Sequence, residues 1–170
     1  MSSPATPARN ILRRFRRNRH GSAVVEFALV APIFFGLLFA IIELAMVFYA
    51  SQVLETVTQD SARQIMTGQA QFKNLVCSKV VAMFDCVNGI SIDVKSYSAF
   101  ASINIATPID ASKNFVPPNN YLPGGPGDVV VVRLFYQWPL FVTGLGFNLS
   151  NLSGSKRLLT ATAAFQNEPY

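Results

Sequence analysis

At 170 residues the chain has room for one compact domain and a membrane anchor, and leaves no space for a second catalytic domain. With 51% hydrophobic and 14% charged residues it falls well short of the roughly 25% charged content of an ordinary soluble domain, as a membrane segment would cause. The net charge of +5 is no sign of nucleic-acid binding, because it resides in one tag: Arg9, Arg13, Arg14, Arg16, Arg17 and Arg19 precede Gly21 with no acidic residue among them, and beyond Gly21 8 basic residues face 9 acidic ones.

The tag is followed almost at once by an apolar run. Sixteen residues from Phe27 to Ile42 carry no charge, and after Glu43 the run resumes from Leu44 to Ala50. As a helix, Phe27 to Ala50 is ~36 Å long, against a hydrocarbon core of about 30 Å. Arginines before the span and mixed charge after it put the N-terminus in the cytoplasm and the C-terminal part outside. Signal peptidase needs small residues one and three positions before its cut, and bulky Phe48 in Met46-Val47-Phe48-Tyr49-Ala50 argues against conventional cleavage there. Pro32 predicts a bend near Ala28 to Pro32, which membrane helices tolerate.

The inner end of the run reads Gly21-Ser22-Ala23-Val24-Val25-Glu26-Phe27. A prepilin peptidase cuts on the cytoplasmic side, after a glycine that closes a basic leader, and a cut between Gly21 and Ser22 would make Glu26 the fifth mature residue. An unpaired carboxylate at the bilayer centre costs on the order of 2.5–3.5 kcal/mol, so a functional role is the default. The new ammonium of Ser22 would lie one helical turn away, in the same chain or a neighbour. Such a pair can set helix register during assembly. Glu43 lies 17 residues further on, ~25 Å along a helix and ~100° round it, which predicts an outer-interface position.

Beyond Ala50 the helical period continues through Leu54, Val57, Ser61 and Ile65. This predicts one long helix ending about Gly68, the alternative being two helices with a hinge near Ser51. Leu75, Val76, Val80, Met83 and Phe84 predict a second, shorter amphipathic helix. Ile90, Ile92 and Val94 alternate with Ser91, Asp93 and Lys95, a half-buried strand. The stretch from Thr107 to Asp128, with five prolines and three glycines, is a long loop. Val129 to Trp138 is strongly β-prone and should form a central strand, with a last strand around Leu158 to Phe165. The expected fold is α+β: a long N-terminal membrane helix followed by a small exported domain with about three antiparallel strands. The expected divisions are a basic prepilin leader over 1–21, a transmembrane helix over 22–50 and a periplasmic domain over 51–170.

Cys77 and Cys86 are the only cysteines, and both fall on the oxidising side, where a disulfide is favoured over free thiols. Nine residues of unbroken helix would hold their Cα atoms ~13 Å apart, whereas a bridge needs less than about 7 Å. Either the helix ends before Cys86 and the chain folds back, or the bridge is absent. No catalytic residue, cofactor or metal site is expected: the one histidine, His20, lies in the leader, and no hydrolase elbow, phosphate loop or ligand cluster is present.

The string GSAVVEFALVAPIFFGLLFAIIELA, the polar helix ending in Ser61-Ala62-Arg63, and the tail Ala164-Phe165-Gln166-Asn167-Glu168-Pro169-Tyr170 resemble the TadE-like proteins of the tight-adherence (Flp, or Tad) pilus system. The resemblance implies a pseudopilin processed by a prepilin peptidase, with Gly21 and Ser22 flanking the cut and Glu26 as the acidic residue of the motif. It implies an accessory structural role in assembling a type IVb adhesive pilus. Two departures separate the chain from the major Flp pilins, which carry a tyrosine where Phe27 stands and lack a large soluble domain. The implied partners are the lipid bilayer, the prepilin peptidase, other pilins or pseudopilins and the Tad assembly platform, with no nucleic acid. The implied location is the bacterial inner membrane, single-pass. The alternative is an uncleaved, signal-anchored periplasmic binding module using the proline-rich loop near Tyr121.

Overall fold

The computed structural model describes residues 21–66, 72–80, 84–143 and 148–168. The arginine-rich leader, the expected helix end at Gly68, and Met83 lie outside them. Helix α1, Ser22–Met66, is a single helix of 45 residues that passes through Pro32 and Ser51, so the hinge alternative does not hold. Helix α2 is Phe72–Lys79 and α3 is the single turn Cys86–Gly89. Strands β1, Ile90–Tyr97, β2, Val129–Pro139, and β3, Lys156–Gln166, follow. The chain divides into two compact units, Met1–Phe39 and Ala40–Tyr170. The second unit therefore takes in helix residues 40–50, which the sequence reading counts with the span.

The expected α+β arrangement with three antiparallel strands is present. The sheet order is β1-β2-β3, with β2 paired antiparallel to both neighbours. Ile92 stands opposite Leu134, and Leu134 opposite Ala161. Alternation gives the sheet two different faces. Ile90, Val94, Val130, Val132, Leu134, Leu159 and Ala161 share one core with Val47, Ala50, Leu54 and Val57 of α1, Val76 of α2, and Val80, Phe84 and Cys86. The helical stripe Glu43, Val47, Ala50, Leu54, Val57, Ser61 advances by alternating steps of four and three, which keeps it on one side of α1, while Glu55, Thr56, Gln59 and Asp60 stay exposed. Buried Thr58 hands its hydroxyl proton to the Leu54 carbonyl at 2.7 Å, removing the cost of an unpaired hydroxyl.

Helix α2 stops at Lys79 rather than continuing to Phe84. Its end is met by the ion pair from Lys79 to Asp60 at 3.1 Å, an exposed contact worth at most about 1 kcal/mol. Because the helix stops there, Cys77 and Cys86 come together with Cα atoms 5.4 Å apart and are joined by a disulfide. The geometric objection of an unbroken helix does not arise. Gly89 closes this turn against Tyr136, where a Cβ would lie 2.7 Å from a ring carbon.

The second sheet face is covered by the connection between β1 and β2, residues 98–128. The Val94 amide donates to the Asn120 main-chain carbonyl at 2.9 Å, Leu122 N–H donates to the Val94 carbonyl at 2.9 Å, and a short parallel bridge joins Val94 to Tyr121. Ile109 and Phe115 pack on Phe135, Leu152 and Leu158. Under this cover Asp93 and Arg133, opposite each other across β1 and β2, form a buried ion pair. Both the Nε and one terminal nitrogen of Arg133 donate to the same Asp93 oxygen, at 3.0 and 2.5 Å. Asn120 donates to the other oxygen at 2.8 Å, and Arg133 also donates to the Ala106 carbonyl at 2.9 Å. With both charges hydrogen-bonded on all sides, the pair ties the loop to the sheet, and removing either partner would strand the other. The tail closes the same loop: buried Asn167 donates its side-chain amide to the carbonyls of Pro123 and Gly125.

Candidate functional site

The candidate site is the head of α1. Ser22 is its first residue and Gly21 precedes it, exposed, with nothing within 4 Å of the position a Cβ would take. Glu26 follows one turn later, exposed, and among the described residues no side chain or backbone group is paired with it. Thus the structure puts Gly21, Ser22 and Glu26 on one short stretch of helix. Cys77 and Cys86 belong to the other compact unit and have a purely architectural place there.

On both sides of Glu26, from Ala23 to Phe39, the helix is bare all round. Val24, Phe27, Leu29, Ile33 and Phe34 are all more than half exposed, and successive positions at 100° per residue cover the whole circumference. Residues Ala23–Gln64 are long and apolar enough to cross a membrane, and no residue of the most apolar stretch is buried in the protein. An all-round apolar helix is stable only in lipid or among other helices. Among the described residues this N-terminal helix is the one of the membrane-anchor kind.

The second acid on this helix behaves differently from expectation. Glu43 is only 4% exposed, and its carboxylate accepts the backbone N–H of Phe141 and that of Val142, the latter at 3.0 Å. The expectation of an interfacial role in preference to a buried, paired one is corrected by this contact: the acid is buried and paired. Its cause is visible in spacing: Glu43 begins the same stripe as Val47 and Ala50, so the residues that bury the stripe must also satisfy the acid. The stripe was legible in the sequence. Its amide partners, 98 residues away, were not.

Sequence reasoning also missed Asp93 and Arg133. The one signal was a charged residue interrupting the run Val129-Val130-Val131-Val132-Arg133-Leu134-Phe135. The pair is enclosed, with both side chains saturated by protein partners, which suits support better than chemistry. Among the described residues no group of three or more His, Cys, Asp or Glu is placed to hold a metal ion.

Residues 21–63 match the family model described as TadE-like protein. This segment is TadE-like. The match covers 43 of the 170 residues and coincides with the exposed glycine, the acid at the fifth position beyond it, the bare apolar turns and the first part of the packed helix. No curated protein and no solved structure matches the chain, so the sheet and its covering loop rest on the geometry alone.

Proposed function

We propose that the protein is a TadE-like pseudopilin with an accessory structural role in assembling a Tad adhesive pilus. In this reading a prepilin peptidase removes residues 1–21 by cutting between Gly21 and Ser22, leaving an inner-membrane helix with its C-terminal domain in the periplasm. The observation that carries it is the head of α1: an open glycine, then an unpaired Glu26 on a helix with no covered face. Cleavage creates an ammonium at the helix N-terminus, where the helix dipole disfavours a positive charge. Glu26, four residues on, is the nearest acid able to neutralise it, within the chain or on a neighbouring subunit. Before cleavage the arginines hold the segment at the cytoplasmic face; afterwards the helix keeps its apolar length and gains a charge pair for setting register. The partners are other pilins or pseudopilins and the Tad assembly platform.

Mass spectrometry of the membrane-extracted protein, from cells with and without the peptidase, tests the proposal. Loss of the mass of residues 1–21 only when the peptidase is present is the expected result. Retention of the arginine-bearing segment in both strains would leave a signal-anchored periplasmic domain instead. That alternative rests on the proline-rich loop near Tyr121 as a binding element, where Val116, Tyr121 and Leu122 are exposed.

A further inference from the structure

We propose that Phe141, on the connection between β2 and β3, is a second membrane contact, resting in the outer interfacial layer of the bilayer that α1 crosses. The inference rests on the reading of α1 as a membrane span. At 80% exposure Phe141 is the most exposed large hydrophobic side chain among the described residues. It is also tethered: Glu43 accepts the amides of Phe141 and Val142, which holds the loop at the height of residue 43 on the helix. A hydrocarbon core of about 30 Å takes up roughly 20 residues of helix. By count along the sequence, a span entered at Phe27 leaves the core near Met46. The height of Glu43 is therefore the outer edge of the lipid.

Three further observations agree with that placement. Ile41, Ile42, Phe48 and Tyr49 on the same part of α1 are all exposed, and a tyrosine with an apolar body and polar tip is suited to the interface. Residues 140–155 contain no charged residue, whereas the other long connection, residues 98–128, carries Asp110, Lys113 and Asp128. The buried Glu43 carboxylate, costly at this depth if unpaired, has its hydrogen bonds supplied by the very loop that presents Phe141. One contact thus shields the acid from lipid and points an aromatic ring toward it.

The test uses the full chain in phosphatidylcholine vesicles. The only tryptophan, Trp138, is replaced by phenylalanine, and single Phe141→Trp, Phe34→Trp and Val116→Trp chains are compared by quenching with lipids brominated on the acyl chain and with aqueous acrylamide. The expected result is loss of most emission to brominated lipid for Phe141→Trp and Phe34→Trp, with acrylamide quenching only Val116→Trp strongly. If Phe34→Trp is quenched by lipid while Phe141→Trp follows Val116→Trp, the loop contact is overturned and the span stands. If neither responds to lipid, the span itself is wrong and the inference falls with it. Should Trp138→Phe prevent folding, the same quenching is read as the difference between Phe141→Trp and the unaltered chain.

Discussion

The two halves of α1 are equally helical and meet opposite fates. From Ala23 to Phe39 no side of the helix is covered, while from Glu43 to Ala62 one stripe is sealed in a core, and from Gln52 onward the opposite side is polar. The difference lies in pattern: residues 27–42 have no polar face to leave in water, whereas Gln52, Glu55, Thr56, Gln59 and Asp60 supply one to the later turns. Two acids of this helix, Glu26 and Glu43, divide the labour. Glu43 is consumed by the fold, its oxygens turned to backbone amides; Glu26 is exposed and has no partner among the described residues.

Substitutions can sharpen this contrast, because those in the second half should cost stability and those in the first should cost assembly. The largest loss is expected from Asp93→Ala, which strands the buried Arg133 guanidinium: denaturant unfolding of the full chain in detergent should show a fall of about 3–5 kcal/mol, with N-terminal processing unchanged. Replacing Cys77 and Cys86 together by serine should lower stability by about 2–4 kcal/mol and abolish the mobility difference between reduced and non-reduced gels. Glu43→Ala, leaving two amides without their charged acceptor, should cost about 1.5–3 kcal/mol in the same unfolding assay. Smallest in that assay is Glu26→Ala, at less than about 0.5 kcal/mol, yet pilus assembly scored by microscopy and shear fractionation should be lost. A Glu26→Ala chain that assembles normally would break the division between the two acids.

The strand-forming segments could be read from composition because their signals are local. Val129 to Trp138 is a β-branched and aromatic run with turn-formers on both sides, and Ile90, Ile92 and Val94 alternate cleanly. The break after Lys79 had no such signal: Val80 and Phe84 continue a helical spacing, and it is the core that takes both while the chain turns back to close the disulfide. The loop over the second sheet face was invisible for a similar reason. Its prolines announce irregular backbone, but nothing in residues 98–128 announces that Asn120 and the Ala106 carbonyl complete the shell of a salt bridge.

The sequence by itself determined the anchor, its inward orientation as an expectation, the Gly21 to Glu26 motif and the α+β class, since each depends on residues close together in the chain. Tertiary structure alone decided the β1-β2-β3 order, the burial of Glu43 under Phe141 and Val142, and the pairing of Asp93 with Arg133. The two buried-charge contacts join groups separated by 40 to 99 residues. Which distant group satisfies a buried charge depends on how the elements pack, a relation that local periodicity and propensity do not contain.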